Sequence, residues 1–550
     1  MTERAPTEIV TQLEALLHAA VEAAAHNCEI GGQIDGARAD ALQSALYDLA
    51  VTHAELRAAR VLVDGWTELP ELDRGLALIF TGEAAAASLG RLERVYCALD
   101  LPLERLFALR GSQAMAALRA LTSSKVTDAL GARIAAGETY GEIALAEEAA
   151  VAAESFRRLA AEIVAPQATR IHRDTLTVPE SVLEPMRAMG VFGLTVPARY
   201  GGSAGGSEDT PLMLAVTEAL SGASLAAAGS LITRPEILTR ALLAGGTEAQ
   251  KEHWLPRIAA GDPLAAIAIT EPDYGSDVAA LRLRATRTDG GWLLDGAKTW
   301  CTFAGKAGVL FVVARTDPDR GKGHRGLSLM LVEKPSYDAK EFRFEQPGGG
   351  VLTGRAIPTV GYRGMHSFDL AFESVFVPDA HVIGEEAGLG RGFYLTMAGL
   401  TGGRIQTAGR ALGVMRAALD AAMSHANDRR VFGAPLTEYQ LTRVKLARMA
   451  ARYAACRHLA YAVARSLDAG GESGLPGADA SLAKLIACRS SEWVTRESMQ
   501  IHGGNGYAEE SPVSRYWLDA RVLSIFEGAE ETLALKVIAR RLLEDALARA

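Results

Sequence analysis

Nothing in this chain is spaced like a disulfide framework or a zinc site. Its five cysteines (Cys28, Cys97, Cys301, Cys456 and Cys488) lie far apart, and none forms a C-x-x-C pair. No apolar run approaches the ~20 residues of a membrane-spanning helix. The opening MTERAPTEIV lacks the apolar core of an export signal, so a reducing cytoplasm is the expected location. Basic residues are not in excess either. Lys and Arg number 57 against 66 Asp and Glu, a net charge of -9, which argues against a surface built to neutralise nucleic-acid phosphates. What is there is ordinary globular composition, 49% hydrophobic and 22% charged, over 550 residues, enough for three or four domains.

The texture changes along the chain. Residues 1–140 read as alanine-rich amphipathic helices, with Ile9, Leu13, Leu16 and Leu17 on one face and Leu42, Leu46, Leu49 and Leu56 on another. A second helical block follows over 141–262. Residues 263–385 carry short β-rich runs (WLLDGAKTW, VLFVVART, LSLMLVEKP, DLAFESVFVP) split by Gly, Asp and Pro turns. Helical periodicity returns over 386–550. The expected class is α+β, mostly α, with the sheet between helical domains and a helical extension in front. A faint echo, in which Gln43, Leu49, Ala50, Ala54 and Leu62 repeat as Gln440, Leu446, Ala447, Ala451 and Leu459, fits either a duplication or a shared helical period.

The sharpest local signal lies in the β region. Thr270, Glu271, Pro272, Gly275, Ser276 and Asp277 are followed by Gly296, Lys298, Trp300 and Thr302. The two motifs, T-E-P-x-x-G-S-D and G-x-K-x-W-x-T, at this spacing resemble the middle domain of the acyl-CoA dehydrogenase family. That resemblance implies a helical domain, a middle β-barrel or sandwich domain and a C-terminal four-helix bundle, with FAD as cofactor and no metal. Trp300 can offer the flat apolar wall a flavin ring needs. Thr270, Ser276 and Thr302 supply hydroxyls beside Ile269, and Gly275 lets the backbone come close.

Three further stretches match in family order, so the resemblance runs over about 145–550. The run 401–440 is similar to a long family helix ending in an arginine and a phenylalanine that reach the flavin of a neighbouring subunit, here Arg429 and Phe432. The run MQIHGGNGY resembles the glycine-rich turn over the adenosine end of the cofactor, with Gln500, Gly503 and Gly504 in those positions. Last comes F-E-G, residues 526–528. By resemblance Glu527 is the base that takes the α-proton of an acyl thioester, its backbone N–H helping to hold the thioester oxygen; otherwise it is a helix-start carboxylate. A carboxylate in an apolar surround is the stronger base. Relatives that carry the base on the preceding long helix have it where this chain has Gly403, which cannot take a proton. The family Thr after E-G is here Ala529, and an acid is kept at Glu531.

Within the family the fullest resemblance is to the branch that oxidises (2S)-methylsuccinyl-CoA to mesaconyl-CoA in the ethylmalonyl-CoA pathway, from the long N-terminal extension and from GRAIPTVGYRGMHSFDLAFE (354–373). Such a substrate needs a cation for its distal carboxylate in an otherwise apolar pocket. Arg234 is the candidate, the alternative being an exposed arginine at a helix end. Arg404 is expected near the thioester-CoA end or behind Glu527, and Ser276 and Gly528 near substrate. The implied partners are an acyl-CoA, an electron-transferring flavoprotein and further copies of the chain as a homodimer or homotetramer. The alternatives are a dehydrogenase for a short or branched chain, an oxidase or flavin monooxygenase on the same fold, and a non-catalytic DNA-associated relative, which the acidic charge disfavours.

Overall fold

A computed structural model describes residues 4–206, 208–470 and 476–549. The chain forms two compact units, residues 147–406 and residues 1–146 with 407–550, and passes between them within helix Gly392–Asp428.

The 147–406 unit joins helices to one sheet. Its helix Glu248–Ala260 begins in a capping box, in which Thr247 and Gln250 satisfy each other's backbone N–H groups. It ends at Gly261, whose φ of +66° suits a residue without Cβ. The Gln250 side chain also donates to Ala380 O at 2.8 Å and Val382 O at 2.7 Å, tying this helix to the end of the sheet. The sheet has eight strands: β1 Ala265–Ala268, β2 Arg284–Thr288, β3 Gly291–Thr302, β4 Val309–Arg315, β5 Leu327–Glu333, β6 Glu341–Glu345, β7 Val351–Ala356 and β8 Ser367–Pro378. Their order is β1-β4-β2-β3-β8-β7-β6, with β5 paired to β4.

The uninterrupted apolar run of β4 has a simple cause. Val309, Phe311 and Val313 pack with Ile237, Leu238, Trp254 and Leu255 of the helices, while Leu310, Val312 and Ala314 face a second core with Leu294, Met330 and Phe368. A strand covered on both faces loses the polar alternation of a half-exposed one.

In the other unit the helix Arg4–Cys28 packs on Gln43–Asp64 and Glu71–Ala98; these two pack on Gln440–Asp468, and Gln43–Asp64 also meets Pro476–His502. Glu83 pairs with both Arg448 and Arg452. Arg443 grips Asp128 at 2.7 Å, and Arg457 donates to Gly141 O at 2.6 Å. Gly131 allows the closest approach, since a Cβ there would stand 2.0 Å from Arg443 O. The sequence echo marks equivalent places on two helices, each beginning at its Gln. Leu49, Ala50, Ala54 and Leu62 are buried, as are Leu446, Ala447, Ala451 and Leu459, so shared burial at helical period suffices to produce it. Among the described residues no helix is long and apolar enough to cross a membrane.

Candidate active site

In the 147–406 unit the T-E-P and G-x-K motifs divide into a buried half and an open half. Glu271 accepts from the backbone N–H groups of Arg282 and Leu283, both at 2.7 Å, and from Lys298 Nζ at 2.8 Å. Lys298 also donates to Ile269 O at 2.8 Å. Burial pushes the Lys298 ammonium below its ordinary value, and Glu271 pulls it back. This pair pins the loop to β3. Removing one member strands the other charge, so Lys298→Met should lower stability by about 3–5 kcal/mol, read as an earlier unfolding transition; adding Glu271→Gln should recover part of the loss.

The open half is what the pinning presents. Gly275 and Ser276 are exposed and Thr270 is half-buried. Between the pairs Lys298–Leu370 and Cys301–Phe368, β3 carries one residue more than β8. In this bulge Trp300 takes a φ of +56° and stands 56% exposed; bulges turn side chains in this way. Thr302 is buried and its hydroxyl lies 2.9 Å from that of Ser367. An open aromatic face with hydroxyls and bare glycine backbone in the same motifs fits a flavin ring with its polar edge.

Arg234 lies in the same unit, in the first turn of helix Thr233–Gly245. It is not an exposed helix-end arginine: it is 5% exposed. Its Nη1 donates to Ser230 O at 3.0 Å and to the Tyr362 hydroxyl at 3.3 Å. Among the described residues no salt bridge joins it to a carboxylate. Tyr362 is itself buried, with a φ of +56°, and belongs to the 354–373 stretch. Gly403 is buried and Arg404 half-buried on helix Gly392–Asp428. That helix approaches Thr233–Gly245 closely, for a Cβ on Gly402 would meet Glu236 Oε1 at 2.2 Å.

In the 1–146 and 407–550 unit, helix Pro512–Leu523 ends at Ser524, and the next helical turn starts only at Glu530. Glu527 lies between them with a φ of +54°, followed by Gly528 at +99°. It is therefore not a helix-start residue: Ala529 holds the N-cap position, without a side-chain bond. A non-glycine residue in this region costs on the order of 1 kcal/mol or more and persists only where its surroundings hold it. Lys484 Nζ donates to Gly528 O at 2.6 Å. Arg410, fully buried, lies 4.0 Å from the Glu527 carboxylate with its guanidinium carbon 4.7 Å from the centre of the Phe526 ring. The expected apolar surround thus contains a cation. Arg410 had a signal in the sequence, as the one charge within TAGRALGVM, where Ala408, Ala411, Leu412, Val414 and Met415 are all buried. Lys484, the one charge within SLAKLIAC among buried Leu482, Ala483, Leu485 and Ile486, had the same signal; Tyr362 lay in the 354–373 stretch with nothing to single it out there.

At another place in this unit, His425 and His502 stack with ring centres 4.3 Å apart. This brings the end of the long helix, with Arg429 and Phe432, to the turn bearing Gln500, Gly503 and Gly504. Arg429 and Gln500 are exposed, and added Cβ atoms on Gly503 and Gly504 would meet nothing within 4 Å. Phe432 is 99% exposed.

Acyl-CoA dehydrogenase family models match residues 146–262 (N-terminal domain), 266–375 (middle domain) and 390–543 (C-terminal domain). The chain is 41% identical to (2S)-methylsuccinyl-CoA dehydrogenase of Cereibacter sphaeroides, over 74% of this chain and 71% of that one. It is 35% identical to a mitochondrial 2-methylacyl-CoA dehydrogenase of Solanum tuberosum, over 71% and 89%. Among solved structures, butyryl-CoA dehydrogenase of Megasphaera elsdenii superposes with a TM-score of 0.65 at 29% identity, covering 71% of this chain and 97% of that one. A glutaryl-CoA dehydrogenase in complex with glutaryl-CoA gives 0.65 at 29%, covering 72% and 95%. The chain belongs to the acyl-CoA dehydrogenase family, FAD-dependent oxidoreductases that act on CH–CH bonds.

Proposed function

We propose that this enzyme oxidises (2S)-methylsuccinyl-CoA to mesaconyl-CoA, the reaction of the ethylmalonyl-CoA pathway. The observation that carries the choice of substrate is Arg234, a buried cation that meets no carboxylate among the described residues. A buried charge is costly unless paired, and a distal carboxylate on the acyl chain supplies the missing partner. Tyr362, bonded to the same guanidinium, would fix its direction. The 41% identity to the Cereibacter sphaeroides enzyme supports the same substrate.

In this reading Glu527 takes the proton from the α-carbon. Among the described residues its own backbone N–H, and that of Gly528, donate to no acceptor, which leaves both for the thioester oxygen as negative charge develops there. Arg410 holds the carboxylate in place through the ion pair and its contact with Phe526. Ile269, Thr270, Gly275, Ser276, Trp300 and Thr302 would hold the flavin ring, Ser276 also meeting substrate. Arg429, Phe432, Gln500, Gly503 and Gly504 would hold the dinucleotide. The bound FAD supplies the acceptor for the hydride leaving the β-carbon, and the C=C bond forms from the electron pair left at the α-carbon. Arg404 belongs to the substrate-binding set. The wholly exposed Phe432 supports a neighbouring subunit that covers it, in a homodimer or homotetramer, and an electron-transferring flavoprotein would take the electrons onward.

The test is anaerobic bleaching of the bound flavin by methylsuccinyl-CoA, compared with butyryl-, isobutyryl- and glutaryl-CoA. Methylsuccinyl-CoA should react fastest. If it leaves the flavin oxidised while a simple chain reduces it, the substrate assignment is wrong.

A further inference from the structure

The turn that carries Glu527 is held partly by a residue nearly five hundred positions away. Glu530, in the first helical turn after Gly528, accepts hydrogen bonds from the Tyr47 hydroxyl and from Arg489. Arg489 Nη1 in turn donates to the Tyr47 oxygen at 2.7 Å. Arg489 and Lys484 come from one helix, Pro476–His502, but Tyr47 comes from helix Gln43–Asp64 of the N-terminal extension. The extension holds the following segment at two more points: Asp40 pairs with Lys536 at 2.5 Å, and Ile34 O accepts from Arg540 at 3.2 Å.

A left-handed Glu527 followed by a left-handed Gly528 has little local reason to persist. On its C-terminal side the next residue, Ala529, gives the helix start no side-chain cap, whereas the Glu530 carboxylate in that first helical turn is bonded from two helices. Burial and the Glu530 carboxylate push the Tyr47 phenol up to about 12, so it remains a donor at any working pH.

We propose that Tyr47 is a positioning residue for the catalytic turn, and that the N-terminal extension is thereby part of the catalytic assembly. Tyr47 fixes Glu530, Glu530 fixes the start of the helix, and the helix start fixes the backbone that aims Glu527. The proposal rests on Glu527 being the base.

The test uses the full-length, flavin-loaded enzyme with three variants: Tyr47→Phe, Glu530→Gln and the two combined. Tyr47→Phe keeps the ring and removes only the hydroxyl. With whichever acyl-CoA reduces the parent enzyme, kcat should fall about tenfold with KM nearly unchanged. Exchange of the substrate α-proton with D2O, which reports the base alone, should slow by the same factor. The combined variant should be no slower than Glu530→Gln, because both changes break one chain of contacts. Parent rates of reduction and exchange in Tyr47→Phe would overturn the proposal, as would independent, multiplying losses in the combined variant. So would a slowing matched by loss of flavin in all three, because the residues would then support the unit rather than the turn. Glu527→Gln run alongside separates the two assignments: normal reduction there removes Glu527 as the base, whereas an inactive Glu527→Gln beside a normal Tyr47→Phe removes only the role of Tyr47.

Discussion

Glu527→Gln should retain bound flavin yet fail to be reduced by any acyl-CoA, with a loss of about 10³–10⁴-fold or more in the single-turnover rate. Glutamine has the same length and shape, so the turn and its contact with Arg410 can survive. What is lost is the only group on the turn able to accept a proton. The change also removes the charge that faces a fully buried guanidinium 4.0 Å away. Arg410 then keeps its bond to Thr407 and the Phe526 ring, and a modest drop in thermal stability should accompany the loss of activity. A stopped-flow trace of the flavin absorbance reads the first effect and a melting curve the second. Normal bleaching would move the base elsewhere, and Gly403 offers no replacement.

Much of the fold was legible because its signals are local. The run Val309–Arg315 announces a strand buried on both faces, and the four quoted β-rich runs fall on β3, β4, β5 and β8. The motifs around Thr270 and Trp300 were legible for the same reason, but their roles were not. Glu271 and Lys298 match the family pattern as well as Thr270 and Ser276 do, yet they are a buried pair that pins the loop. Only the fold distinguishes the residue that faces outward from the one that holds it there. The β3 bulge that turns Trp300 out depends on pairing with β8, nearly seventy residues later. Tyr362 is drawn to notice only beside Arg234, and Tyr47 only beside Glu530 and Arg489, because each contact joins segments distant in the sequence. Arg410 is the intermediate case, since a lone charge among buried helix positions must be answered by something.

Arg234→Met tests the choice of substrate, and the direction of each effect follows from burial. In the free enzyme the Arg234 charge is desolvated, and among the described residues its partners are a carbonyl and a phenol. Replacing it by a flexible apolar side chain of similar length should therefore change thermal stability little, or raise it. With methylsuccinyl-CoA the sign reverses. The substrate carboxylate would then enter a buried place with no cation, and the loss of a buried charge pair is worth about 3–4 kcal/mol. In kcat/KM that is roughly 10²–10³-fold. Butyryl-CoA, which carries no distal carboxylate, should be oxidised as well as before or better, because an empty charge no longer has to be covered by an apolar chain. Tyr362→Phe should fall between the parent and Arg234→Met with methylsuccinyl-CoA, having lost one hydrogen bond to the cation rather than the cation itself. The ratio of the two substrates is the decisive quantity. Equal losses for both would make Arg234 a support of helix Thr233–Gly245 and leave the acyl carboxylate without its partner.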